Sequence, residues 1–342
     1  MLADLLREAA SKKQTIRLGG RFTKDRIGGV AEPAELEVSC RCLNRVLEYD
    51  PRDLTISVEA GLPWSELCRV TAAHRQMVAL DPPWASEATV GGVVAANQSG
   101  PRRRLYGSAR DNVIGMTFAT LEGKLVQTGG KVVKNVAGLD MAKLMIGSWG
   151  TLAAITMVNF KLAPMPAGTR TFLRRFETAA EALLERDRIV RSVLQPSAVD
   201  LLNPPASALL GLSGYALVVQ AGGNESVLSR YELELAGFET RRGTEEEELW
   251  RAIREFTPHY LAANPQGGVE RVSVPMTAVG GVLEANPDVP VVARAASGVC
   301  YLHCLRRPGP PAPPPGFDLM KRIKAVFDPD HLLNRGRLYG LL

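Results

Sequence analysis

Apolar positions along the chain recur with two spacings, and each change of spacing marks an element. Residues 2–10 mix apolar and charged positions at helical spacing and predict an amphipathic first helix. Residues 15–18 predict a strand running into Gly19-Gly20-Arg21-Phe22-Thr23-Lys24-Asp25. Residues 53–60 predict a second strand, ended by Gly61. Pro63 then opens a helix reaching about residue 75, since proline is tolerated in a first turn. On that helix Trp64, Leu67, Cys68 and Thr71 are expected to share one face, with His74 as a cap or surface residue. Residues 113–121 and 124–127 predict a hairpin turning at Glu122-Gly123, and residues 141–147 a short helix. Residues 152–162 form a nearly continuous apolar run, the pattern of a strand buried on both faces.

After Pro164-Met165-Pro166-Ala167-Gly168 the pattern changes character, which reads as a linker. Strands at 171–176, 198–202 and 215–221 alternate with helices at 178–193 and 225–236. These two β-α-β-like units suggest a ferredoxin-like domain. Thr244-x-x-Glu247 has the form of a capping box opening a helix through Phe256, with residues 245–248 as a solvated first turn. Residues 308–315 hold too much proline for helix or interior sheet, so they predict a stiff connector to a last helix at 317–327.

The stretch 81–164 organises the rest. Gly91-Gly92, Ala95-Ala96, Ser99-Gly100, Gly107, Gly129-Gly130, Gly138, Gly147 and Gly150 punctuate short apolar runs instead of a helical stripe. Glycine admits positive φ and leaves N–H groups uncovered, so a folded run of it can cup an anion or lie flat against a ring. Thr89-Val90-Gly91-Gly92 presents a hydroxyl with amides, and Asn97-Gln98-Ser99-Gly100 adds polar side chains. This is cofactor-binding chemistry with no obvious acid or base inside it. Glycine turns also join strands in any large α+β domain; the order of these motifs is what lifts the segment above that reading.

In that order the chain resembles the FAD-binding subunits of glycolate oxidase, within the vanillyl-alcohol oxidase/p-cresol methylhydroxylase flavoprotein superfamily. The matching blocks are residues 89–92, 97–103, 106–115, 131–140 and 147–156. The resemblance implies an α+β fold with a two-subdomain FAD-binding domain of the p-cresol methylhydroxylase type over residues 1–165. A ferredoxin-like cap over 166–314 follows, and 315–342 returns to complete the first domain. It gives Gly19, Gly20, Arg21 and Thr23 the FAD diphosphate. It also implies FAD contacts for Pro82, Thr89, Val90, Gly91, Gly92, Asn97, Ser99, Gly100, Gly107, Asp111, Ile155 and Asn334. Arg21 stands where some relatives carry the histidine that bonds flavin covalently, so the FAD is expected to be held non-covalently. Two positions depart from the pattern: Leu139 replaces a tyrosine in Gly138-Leu139-Asp140, and Arg335 replaces a proline between Asn334 and Gly336.

Composition then narrows the function. The 342 residues are 46% hydrophobic and 23% charged, enough for a sizeable core, and no apolar run approaches the length that spans a bilayer. The N-terminus shows no signal peptide, and a cytoplasmic protein is expected, with attachment to the inner face of the plasma membrane through partners as the alternative. A net charge of +5 and a single dense basic cluster, Arg102-Arg103-Arg104, without a binding module, argue against a nucleic-acid partner. The five cysteines lack iron–sulfur spacing and read as structural thiols; Cys300 and Cys304 flank His303 on a predicted strand instead of forming a zinc site. Stand-alone relatives that oxidise 2-hydroxy acids commonly carry a His-x-Gly-Asp-Gly-Asn-x-His metal segment; this chain, with four histidines, has none. The resemblance therefore implies an FAD subunit of a multi-subunit glycolate oxidase. A larger FAD-binding subunit would carry the main substrate-oxidising residues, and an iron–sulfur subunit would pass electrons on. A stand-alone 2-hydroxy-acid dehydrogenase and a scaffold that has lost flavin are the alternatives. Arg271 and Arg294 are the arginines in the cap that could hold a carboxylate, and neither is assigned.

Overall fold

A computed structural model describes residues 2–130 and 140–342. Residues 131–139, with the Leu139 substitution, lie outside the described residues.

Two antiparallel sheets dominate. The first has five strands in the order Val46–Asp50, Thr55–Glu59, Ala154–Lys161, Val113–Ala119, Leu125–Gly129. Its centre is the predicted long apolar strand, now Ala154–Lys161, which pairs Thr55 with Lys161 and Glu59 with Met157. Val158 and Phe160 are wholly buried, and the one polar residue in their midst is satisfied: Asn159 accepts from the Ser57 hydroxyl at 2.7 Å and donates to Gly130 O. The hairpin closes at Glu122-Gly123, where Gly123 takes φ +79°. Helix Val90–Ala95, which the glycine punctuation had hidden, packs across Thr55–Glu59 and Ala154–Lys161. Thr89 caps it by accepting from Gly92 N–H, and a side chain at Gly91 would lie 2.8 Å from the Ala60 Cβ. The helix after Pro63 spans Trp64–Ala72; it buries Trp64, Leu67 and Thr71 but leaves Cys68 exposed, against expectation.

The second sheet has seven strands, in the order Glu239–Arg241, Gly168–Phe176, Tyr215–Gly223, Ala198–Leu202, Val291–Arg294, Val299–Cys304, Gly268–Ser273. Alternation along the strands divides its two faces. Phe172, Val199, Leu217 and Val291 pack under helices Ala179–Arg191, Glu225–Glu234 and Val279–Glu284. Their neighbours Leu173, Ala198, Val218 and Val292 pack against Gly243–Arg254 and Phe256–Ala263. The expected capping box is not formed. The helix begins at Gly243 without a side-chain cap, and Thr244 lies inside it. Glu246 is not solvated: it is buried, accepting from the Thr171 hydroxyl and the Gln220 amide. The helix also stops at Arg254, and a second one starts at Phe256.

The second helical layer is the one that meets the first sheet. Ile27 and Trp84 pack on it, and Glu255 accepts from Trp84 N at 2.7 Å and Ala85 N at 3.2 Å. Arg26 donates to the carbonyls of Leu261, Asn264, Pro265 and Gly267, closing the C-terminal end of helix Phe256–Ala263. The last helix, Phe317–Phe327, comes back to the first sheet. There the wholly buried Lys324 donates to Thr151 O and Leu333 O and pairs with Asp328. No helix among the described residues is long and apolar enough to cross a membrane.

Candidate functional site

A narrow cleft lies where strand Ile16–Gly19, helix Val90–Ala95 and the C-terminal segment converge. It is lined by Gly19, Gly20, Arg21, Thr23, Thr89, Gly91, Gly92, Ile155 and Asn334 among others, nine of the sixteen residues expected to touch the cofactor. Its floor is main chain. A Cβ on Gly20 would lie 2.0 Å from the Thr89 hydroxyl, so only glycine lets the two loops meet.

Lys24, which sequence reasoning left unassigned within its Arg/Thr/Lys loop, lines the same cleft with 7% of its surface exposed. Its ammonium donates to the Thr23 hydroxyl at 3.3 Å, and burial pushes its pKa down to about 8 despite the pull of Glu255 and Glu87. The ammonium also stands 5.7 Å from the centre of the Trp84 ring, and a buried cation lining a glycine-walled cleft fits an anionic diphosphate. Arg21 is exposed at the rim. Arg337, which lines the same cleft, pins the loop carrying these groups by donating to the carbonyls of Asp25, Ile27 and Gly29 and pairing with Asp25. Asn334, although it lines the cleft, has its amide committed to the chain: it bonds Leu18 N, Leu18 O and Trp149 O at 2.7 to 2.9 Å.

Asn97, Ser99 and Gly100 line a second, larger cavity of about 750 Å³ between the two sheets. Ala96 and Trp149 border both spaces, so the cleft and the cavity adjoin. Asn97 holds φ +47°, and its Oδ1 is buried without a hydrogen-bond partner, an orphan acceptor at the junction. Ser99 receives a bond from Arg103, and Gly100 is needed for a different reason than expected: its Cβ would sit 1.8 Å from Asp81 O. The remaining four residues line neither space. Pro82 and Val90 are buried in packing. Gly107, at φ +78°, and Asp111 build the turn before helix Ala109–Asn112, where Asp111 and Ser108 form a reciprocal capping box.

The far wall of the cavity is rich in arginine and also carries Glu270. Arg254, Arg271, Arg294 and Arg307 line it, with Thr257 and Tyr301 between them. Register places Arg271 opposite Tyr301, on the sheet face that also carries His303 and Arg294. Arg294 is buried and paired with the wholly buried Asp200, whose carboxyl burial raises to about 6 against the arginine's pull. Its Nε has no partner. His303 is buried on strand Val299–Cys304, the element expected for it. Among the described residues no group of His, Cys, Asp and Glu could hold a metal ion.

Glycine main chain and a buried lysine in the cleft, with an orphan acceptor in the cavity beside it, are groups suited to an anionic ligand. The FAD binding domain family matches residues 1–129, and the C-terminal domain of the FAD linked oxidases matches residues 312–338, which hold Lys324, Asn334 and Arg337. Over its full length the chain is 30% identical to the glycolate oxidase subunit GlcE of Escherichia coli (strain K12), spanning 97% of that protein, and it belongs to that family. Other relatives match over part of their length. The glycolate oxidase subunit GlcD of Bacillus subtilis is 32% identical over 52% of this chain and 37% of its own. The mitochondrial D-lactate dehydrogenase [cytochrome] 1 of Saccharomyces cerevisiae is 31% identical over 57% of this chain and 32% of its own. Among solved structures, an alkyldihydroxyacetonephosphate synthase superposes with a TM-score of 0.74 over 97% of this chain and 73% of its own; at 17% identity it shows the shared fold.

Proposed function

We propose that this chain is an FAD-binding subunit of a multi-subunit glycolate oxidase that converts glycolate and related 2-hydroxy acids to 2-oxo acids. The full-length match to GlcE supports the assignment, and the observation that carries it is the cleft itself. The main chain from Gly20 onward, with Lys24 and Arg21, would hold the diphosphate; Thr89, Gly92 and Asn97 would hold the rest of the cofactor. When bound, FAD supplies a two-electron acceptor for the substrate carbon. Arg21 offers no nucleophile for a bond to flavin, so the cofactor is held non-covalently. The partners are a larger FAD-binding subunit and an iron–sulfur subunit, and any membrane association is made through that complex.

The arginine-lined cavity beside the cleft favours a second reading, in which this chain holds a carboxylate substrate itself. Arg271 supplies a cation in a partly enclosed space, and Arg294, paired with Asp200, and Arg254, paired with Glu255, add guanidinium donors that a small hydroxy acid's carboxylate could take.

Absorbance of the purified chain, before and after glycolate without oxygen, separates these readings. A flavin spectrum that glycolate leaves unchanged assigns oxidation to the partner subunit, and bleaching assigns it here. A colourless chain that takes up no added FAD overturns the assignment. Acid precipitation should release the flavin into the supernatant; yellow protein in the pellet would show a covalent bond.

A further inference from the structure

Thr257 and His303 form a hydrogen-bonded pair at the cavity wall, and the backbone fixes its direction. His303 Nδ1 lies 3.1 Å from Pro290 O, a group that can only accept, so Nδ1 carries the ring proton. The His303 N–H reaches the same carbonyl at 3.0 Å and sets the ring's position. Nε2 is then an acceptor, 2.9 Å from Thr257 Oγ1, and the threonine must donate to it. The rings of Phe256 and Tyr260 stand edge-on to the imidazole at 4.6 and 5.2 Å. Their burial of His303 lowers its pKa to about 4, so the ring is neutral in ordinary buffers and cannot reverse the bond. Thr257 lines the cavity with its only hydroxyl proton turned away. What its hydroxyl offers a ligand is an acceptor.

We propose that Thr257, oriented by His303, recognises the alcohol hydroxyl of a 2-hydroxy acid and turns away the matching 2-oxo acid. This rests on the reading of the arginine-lined cavity as a carboxylate site. A bound hydroxy acid has an O–H to donate to Thr257. Its oxidation product has a carbonyl in that place, which sets lone pair against lone pair and leaves both acceptors unpaired. Thr257 is thus a specificity residue that favours substrate over product, and His303 is a positioning residue acting through it.

The test uses the FAD-loaded chain and the near-isosteric pair lactate and pyruvate, followed by fluorescence of Trp84 and Trp149, both of which line the cavity. Lactate should bind about tenfold more tightly than pyruvate, the worth of one hydrogen bond at the upper end of its usual range. Thr257→Val should bring the two affinities together, and Thr257→Ser should keep them apart. His303→Leu frees the hydroxyl to donate, so pyruvate should gain affinity while lactate does not; a merely structural defect would weaken both. Equal wild-type affinities, or a ratio untouched by Thr257→Val, overturn the proposal alone. Binding of neither acid by a chain that still holds flavin overturns it together with the carboxylate reading.

Discussion

The cleft and the cavity adjoin at Ala96 and Trp149, yet they are built in opposite ways. The cleft is made by subtraction: glycines remove side chains so that loops can meet, and the buried Lys24 and Arg337 supply charge. The cavity is made by addition, with long side chains from strands and helices of the seven-stranded sheet projecting across a gap. A site of the first kind tolerates almost no added atom but depends little on any one polar side chain. A site of the second kind has room, and depends on buried charges that must stay paired.

That contrast can be broken most directly at Gly20. Gly20→Val places carbon within 2.0 Å of the Thr89 hydroxyl, and the purified protein should lose its flavin absorbance almost completely. If the cause is the lost approach of the two loops, Gly20→Ala should be rescued in part by Thr89→Gly. Retention of flavin by Gly20→Val would mean that the cleft is not where the cofactor binds. At the cavity the largest expected effect is on stability. Arg294→Met strands the Asp200 carboxyl in the interior and should cost about 3 kcal/mol in denaturant unfolding, with flavin content unchanged. Adding Asp200→Leu should recover much of that loss, because an apolar pair replaces a desolvated ionic one. A double variant no better than the single would show that the pair does more than neutralise itself.

The same contrast decides what could be read from the sequence. Glycine and threonine motifs in the cleft lie close together in the chain and are rare enough in that order to be legible. Nine of the sixteen candidate residues line the cleft and three more line the cavity beside it. The strand periods were legible too, because burial on one or both faces imposes them directly. Helix Val90–Ala95 was not, since two glycines in six residues are poor helix formers; packing against Ala60 overrides that local preference. Glu246 misled for a similar reason: four consecutive glutamates look like a solvated turn, and only the sheet's Thr171 and Gln220 make one of them interior. The cavity wall as a constellation could not be found from spacing, although Arg271 and Arg294 can be singled out one by one as able to hold a carboxylate. Arg254, Thr257, Arg271, Arg294 and Tyr301 are brought together by antiparallel register and by the approach of two separate sheets, and no short motif encodes either.

His303 sharpens the comparison through pH. Its folded pKa of about 4 lies below the ordinary 6.5, so between those values the unfolded chain binds the extra proton. Stability from this residue is therefore complete above pH 6.5 and falls as the pH drops toward 4, by about 3 kcal/mol in all. His74, His259 and His331 are exposed. His303→Leu should flatten the stability profile across that window relative to wild type, and parallel profiles would contradict a buried neutral imidazole.

The smallest effect asks whether every sequence-matched position belongs to the cleft. Asp111 was expected to touch the cofactor, but it lines neither space and instead accepts from Ser108 N at 2.8 Å and from the Ser108 hydroxyl at 2.9 Å. These bonds hold its carboxyl below the ordinary range even against burial, as expected of a cap. Asp111→Ala should cost about 1 kcal/mol of stability, the worth of one helix cap, and leave flavin retention and absorbance unchanged. Loss of flavin with stability intact would return Asp111 to the cofactor and show that the turn, including Gly107, reaches further toward the cleft than its geometry indicates.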